Sequence, residues 1–68
     1  MKVHVRLERE DEVVTVELSE HATIEDLLKK LGLYADMYVP VINNKVVPID
    51  LKLAPNAHIR LIKVISGG

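Results

Sequence analysis

The chain contains no cysteine, phenylalanine, tryptophan or glutamine, and only three glycines and three prolines among its 68 residues. Without cysteine it has neither a disulfide staple nor a thiolate for metal binding or nucleophilic attack. Without a basic excess, at a net charge of −1, it lacks the electrostatic footprint of a general nucleic-acid binder. No apolar run approaches the ~20 residues of a membrane-spanning helix. The start Met1-Lys2-Val3-His4 has no secretory-signal layout, so the cytosol is the expected compartment. The absence of Gln and the low Asn content are compatible with a thermophilic source.

What is present is a dense set of branched aliphatics. Hydrophobic residues make up 49% of the chain, and Tyr34 and Tyr38 are its aromatics. That is enough for one small domain whose core must hold without covalent help. Val, Ile and Leu suit strands, and their spacing places them. Lys2 to Glu8 alternates, with Val3, Val5 and Leu7 on one side and Lys2, His4, Arg6 and Glu8 on the other, the period of a half-buried strand. Arg9-Glu10-Asp11-Glu12 reads as a polar turn, and Val13 to Leu18 alternates again, with Val14, Val16 and Leu18 on the core side. The two runs predict a hairpin.

The next segment predicts a helix over about residues 23–32. Thr23 is a good N-cap and Asp26 completes an approximate capping box. Ile24, Leu27, Leu28 and Leu31 form one apolar stripe. Glu25 and Asp26 suit the N-terminal end of the dipole, and Lys29 and Lys30 the C-terminal end. Gly32 is placed to close the helix in a left-handed conformation. Tyr38 to Ile42 is a short apolar run whose buried face is ambiguous, because Val39, Val41 and Ile42 are all apolar. Asn43-Asn44 suits a tight turn with positive φ, and Lys45 to Val47 is the expected return strand. Pro40 cannot donate to a ladder and is expected at an edge or a strand start. Residues 49–55 read as irregular, with room for one short turn of helix. A turn at 54–57 leads into a last strand, His58 to Val64, with Ile59 and Leu61 on the core side.

The resulting order is strand, strand, helix, strand, strand, strand. A single helix on one face of a mixed five-stranded sheet buries both apolar surfaces. With the first and last strands parallel at the centre, this is the ubiquitin-like β-grasp arrangement of the α+β class. Residues 1–64 form the expected domain, and 65–68 a flexible tail.

Ile42-Asn43-Asn44-Lys45-Val46-Val47-Pro48 resembles the apolar-Asn-Gly-x-apolar-apolar-Pro hairpin of the ThiS/MoaD sulfur-carrier family and the related archaeal ubiquitin-like small modifiers, with Asn44 standing where Gly is usual. Ile59 to Gly68 resembles the same family's last strand and Gly-Gly tail. The resemblance spans the chain, and it implies a carrier rather than an enzyme. In that family a ubiquitin-activating-type enzyme uses ATP to adenylate the C-terminal carboxylate. Sulfur transfer then gives a thiocarboxylate, or a lysine amine attacks to form an isopeptide bond. Gly68 would carry the reacting group. Gly67, lacking a Cβ, would pass a narrow channel, and Ser66 and Ile65 would supply reach. A terminal glycine pair can also be a frayed end or a cloning remnant, and it is the β-grasp context that makes it specific.

Ile62 and Val64 alternate out of phase with Ile59 and Leu61, so they point away from the helix, as does Val13 on the second strand. Apolar residues grouped on an otherwise polar sheet face can mark a partner site, though scattered surface aliphatics are also ordinary. The resemblance implies docking of this face on the adenylating enzyme and on a sulfur-accepting synthase, with Arg60 and Lys63 as rim contacts. No cofactor or metal is expected on the chain itself, nor a nucleic-acid or membrane partner. His4, His21 and His58 lack metal-ligand spacing and read as surface residues, and His4 and His58 approach each other if the terminal strands are neighbours. Three functions compete. They are a sulfur carrier for thiamine, molybdopterin or tRNA thiolation, with thiamine slightly preferred; a modifier joined to target lysines; and a non-conjugated TGS-like binding module.

Overall fold

The two alternating stretches at the N-terminus form strands β1 (Lys2–Leu7) and β2 (Glu12–Glu17), paired antiparallel in the computed structural model, which describes residues 1–7 and 11–64. Glu8, Arg9 and Glu10 of the expected turn, and the tail 65–68, lie outside the described residues. Helix α1 (Ile24–Leu31) follows, then a 3-10 turn (Ala35–Met37), β3 (Tyr38–Ile42), β4 (Lys45–Val46) and β5 (His58–Lys63). The sheet order is β2-β1-β5-β3-β4. β1 and β5 pair in parallel at its centre, and the other neighbours are antiparallel. This is the expected β-grasp fold.

The register explains the core. Val5 lies beside Val14 and Ile59, and Leu7 beside Leu61. Those side chains meet Ile24, Leu27, Leu28 and Leu53 in one cluster with Val3 and Val16. Val3, Val5, Ile24, Leu27, Leu28, Ile59 and Leu61 are almost wholly buried, each such burial being worth about 1.5–3 kcal/mol.

Both helix ends are satisfied. Thr23 Oγ1 accepts from the Asp26 N–H at 3.3 Å, and the Asp26 carboxylate accepts from the Thr23 N–H at 2.9 Å. The capping box is therefore complete. The next two free donors, the Ile24 and Glu25 N–H groups, reach the carbonyls of Leu51 and Ile49 at 3.1 and 2.9 Å. Just before Leu51, where the sequence left room for one short turn of helix, the chain makes a single hydrogen-bonded turn, the Leu51 N–H donating to the Pro48 carbonyl at 3.1 Å. The segment then passes the helix N-terminus as a strap, bonded through Leu53 N–H to the Ala22 carbonyl at 2.9 Å and bridged at Thr23–Lys52. At the other end Gly32 has φ 72°, its N–H donates to the Lys29 carbonyl at 3.1 Å, and the Leu33 N–H donates to the Leu28 carbonyl at 2.9 Å. These two bonds make a Schellman closure.

Asn43 and Asn44 take φ 53° and 64°, the two positive values of a two-residue hairpin turn. Pro40 departs from expectation. It sits in the middle of β3, which lies between β5 and β4. The reason is local. Val64 N–H bonds to the Met37 carbonyl, and the register then pairs Pro40 with Leu61 at a position where neither exchanges backbone bonds. Pro40 therefore turns its backbone towards β4, where its carbonyl accepts from Val47 N–H at 3.1 Å. Its missing donor faces the point at which the two-residue β4 has already ended.

A Cβ at Gly32 would meet nothing within 4 Å, so only backbone strain opposes substitution. Gly32→Ala is expected to lower stability in chemical denaturation by about 1–2 kcal/mol, and Gly32→Asn by less. Hydrogen bonds from the Thr23 backbone N–H, then from its hydroxyl, hold the Asp26 carboxyl below its ordinary pKa. Because the folded value is depressed, the contribution is present at neutral pH and is lost as pH falls below about 4. The stability gap between the native chain and Asp26→Asn should therefore close on acidification, as followed by thermal melts across that range.

Candidate functional site: the outer sheet face and the root of the tail

The sheet face opposite α1 is built by the out-of-phase residues of each strand. Register places Thr15, His4 and His58 in one row, and Val13, Arg6, Arg60, Val41 and Val46 in the next. Ile62 and Val39 follow in a third row. Val64 continues the same alternation just past β5, where its N–H donates to the Met37 carbonyl at 2.9 Å. This contact ties the root of the tail to the 3-10 turn.

Charge on this face is arranged so that like groups separate. Arg6 and Arg60 are register partners on adjacent strands. Arg6 is drawn towards the β2 edge by Asp11, at 2.7 Å. Arg60 reaches the opposite way, across β3, and its guanidinium donates to Asn44 Oδ1 at 3.3 Å. The path crosses Val41, its register partner, which is only 6% exposed although it lies outside the main core cluster. His4 and His58 stack, with ring centroids 4.8 Å apart, and His4 Nδ1 lies 3.3 Å from Thr15 Oγ1. Parallel pairing of the two terminal strands brings them together. Among the described residues, no group of three or more His, Asp or Glu side chains is placed to hold a metal ion.

The structure places Val13, Arg60, Ile62 and Val64 on the outer face, with Val13 61% exposed. Lys63 is on the other side of the sheet. It is the register partner of Tyr38, whose side chain packs against the core, so strict alternation separates it from Arg60 and Ile62. Two residues passed over in the sequence stand at the two ends of the 3-10 turn to which Val64 is bonded. Tyr34 is 72% exposed, and Met37 is also exposed. Tyr34 and Ala35 line an apolar groove of about 310 Å³ with Leu28, Leu33 and the stems of Glu25 and Lys29. A tyrosine two residues after a helix-stopping glycine, outside any periodic stripe, was the available signal. Gly68, Gly67, Ser66 and Ile65 lie outside the described residues.

A five-stranded β-grasp sheet, with one capped helix on its inner face and a chain end leaving its central strand, defines a ubiquitin-like protein. The ThiS family matches residues 4–68, and the chain belongs to that family. Its members are small carriers rather than enzymes; such carriers work with adenylating enzymes and sulfur-accepting partners. No curated protein matches the chain. Among solved structures, SAMP1 from Haloferax volcanii is similar over 100% of both chains, with a TM-score of 0.76 at 20% identity, a likeness of fold. Among the described residues, no helix is long and apolar enough to cross a membrane.

Burial separates two valines of one row. Val13→Thr should leave stability within about 0.5 kcal/mol. Val41→Thr, which buries a hydroxyl beneath Arg60, should cost about 1–3 kcal/mol. Urea denaturation of the two variants checks the pair, and equal losses would contradict the placement of Val41.

Proposed function

We propose that this chain is a sulfur carrier whose reacting group is the carboxylate of Gly68. The observation that carries the reading is the extent of the family match. It runs through the β-grasp domain and on to residue 68, so that it includes Gly67-Gly68. A carboxylate is a poor electrophile. In the proposed sequence it attacks the α-phosphate of ATP on a ubiquitin-activating-type enzyme, and pyrophosphate leaves. A sulfur nucleophile at the oxidation level of sulfide then displaces AMP and leaves a thiocarboxylate. The acceptor is a synthase making thiamine or another sulfur-containing cofactor such as molybdopterin, or a tRNA-thiolating enzyme. The carrier binds no cofactor of its own, and ATP belongs to the partner.

The domain's part is presentation. β5 ends at Lys63, and Val64 is held by Met37, so the chain beyond it starts from an anchored point. Ile65 and Ser66 extend it, and the two glycines enter where a Cβ would obstruct. Ile62, Val64 and Val13, with Arg60 beside them, make the docking face for the adenylating enzyme and the sulfur-accepting synthase. Lys63 contacts a partner only where that partner wraps round the edge at Tyr38.

The same activated Gly68 would form an isopeptide bond if a lysine amine replaced the sulfur nucleophile. The likeness to a small archaeal modifier in fold keeps that second reading in view.

Intact-mass analysis of the untagged protein from its own source tests both. Sulfur carriage predicts a species heavier by the replacement of one oxygen with one sulfur, reactive with alkylating reagents and lost when Gly68 is deleted. Gly-Gly remnants on lysines of other proteins, without that species, would transfer the assignment to the modifier.

A further inference from the structure

Strand β2 is one outer edge of the sheet, and its open side differs from the other edge. β4 is two residues long, and a short edge strand is a poor template for pairing. β2 runs for six residues in unbroken register with β1, from Lys2–Glu17 to Leu7–Glu12. Neither proline nor a bulge interrupts it, and no charge lies between Val13 and Val16. The usual devices that blunt an edge are therefore missing from its middle.

The backbone direction follows from the pairing. The Leu18 N–H donates to the Met1 carbonyl at 2.7 Å, and the Met1 ammonium donates to the Leu18 carbonyl at 2.7 Å. Bonded and non-bonded pairs alternate along an antiparallel ladder. Val16, Val14 and Glu12 thus bond to β1, while Val13, Thr15 and Glu17 turn their N–H and C=O groups to the open side. There they face no other strand of the sheet. Val13 and Thr15 are exposed, and Val14 is half-buried. Acids mark both ends of the strand. Glu12 and Glu17 are exposed, and among the described residues neither is in an ion pair.

We propose that the β2 edge is a strand-addition site for an extended basic segment of a partner protein. Main-chain bonds to Val13, Thr15 and Glu17 supply the pairing, and cross-strand side chains supply the choice of partner. In antiparallel addition the residues opposite Glu17 and Glu12 are five positions apart and are lysine or arginine. The residue opposite Val13 is apolar, and the residues opposite Val14 and Val16 are apolar on the helix side. A second copy of this chain is the disfavoured occupant. It would bring Asp11, Glu12, Glu17 and Glu20 of two edges together, with only Lys2 and Arg6 on the neighbouring strand to offset them. The site is separate from the tail and does not depend on the chemistry proposed for Gly68.

The test uses the full chain, isotopically labelled, and the peptide acetyl-Lys-Val-Thr-Val-Val-Lys-amide. Saturable binding should slow amide exchange at Val13, Thr15 and Glu17 and leave Val14 and Val16, already bonded to β1, unchanged. Thr15→Pro removes one outward donor without touching the β1 ladder, and Thr15→Val keeps it. Binding should be lost in the first and retained in the second. The double charge reversal Glu12→Lys with Glu17→Lys should weaken binding about tenfold whether or not the proline variant folds. The proposal is overturned if exchange at the three residues does not change, or if the shifts map to Ile62 and Arg60. Equal binding of a peptide with glutamates replacing both lysines, or concentration-dependent dimerisation through β2, would overturn it as well.

Discussion

Everything in this fold hangs on the parallel pairing of β1 with β5, strands drawn from the two ends of the described chain. Val5 beside Ile59 and Leu7 beside Leu61 form the apolar centre on which the helix stripe Ile24, Leu27 and Leu28 rests. Parallel neighbours require a long crossover connection, and here all other elements lie within that connection. The same pairing stacks His4 on His58, sets Arg6 beside Arg60, and makes the strand that carries the C-terminal tail the middle one of the sheet. A tail rooted on a central strand starts from the most constrained part of the domain.

A second constraint is the helix N-terminus. An α-helix leaves its first N–H groups without internal partners. Thr23 and Asp26 satisfy part of that demand within the segment, and the carbonyls of Ile49 and Leu51 satisfy the rest. The strap that supplies them also delivers Leu53 to the core, so capping and packing are met by one stretch of chain. Pro40 is accommodated in a similar way. β3 pairs with β5 from Tyr38 to Val41 but with β4 only at Val41 and Ile42, and the short β4 leaves one place where a missing donor has no ladder to break.

The outer face owes its character to what its charges do. Two arginines on adjacent strands would repel if both projected straight outward. Asp11 and Asn44 draw them to opposite sides, and Arg60 in crossing β3 covers Val41. The exposed large apolar side chains among the described residues are Val13 at the β2 edge, Val46 on β4, Leu51 on the strap, Tyr34 and Met37 by the 3-10 turn, and Val64. Of these, Met37 and Val64 are joined by the backbone bond at the end of β5.

Much of this was written locally. The helix could be read with both caps because capping box, apolar stripe and closing glycine all lie within ten consecutive residues, 23–32. Alternation over 2–8, 13–18 and 58–64 located the strands found at 2–7, 12–17 and 58–63, and it also assigned Val13 and Ile62 to the outer face. The Asn43-Asn44 turn followed from the rare tolerance of asparagine for positive φ. Family membership was legible in the hairpin and the terminal glycines. Other features depended on partners distant in sequence. Val39, Val41 and Ile42 are equally apolar, and only pairing with β5 decides which of them faces the helix. Lys63 departs from the Arg60 side because one residue reverses the face of a strand. The 49–53 strap has no periodicity of its own, and its conformation is set by donors on a helix some twenty-five residues earlier. Sequence alone therefore determined the elements whose hydrogen bonds close within a few residues, together with membership of the family. Tertiary structure decided every feature whose partner lies across the sheet, because burial and backbone satisfaction there belong to pairs of segments and not to either one.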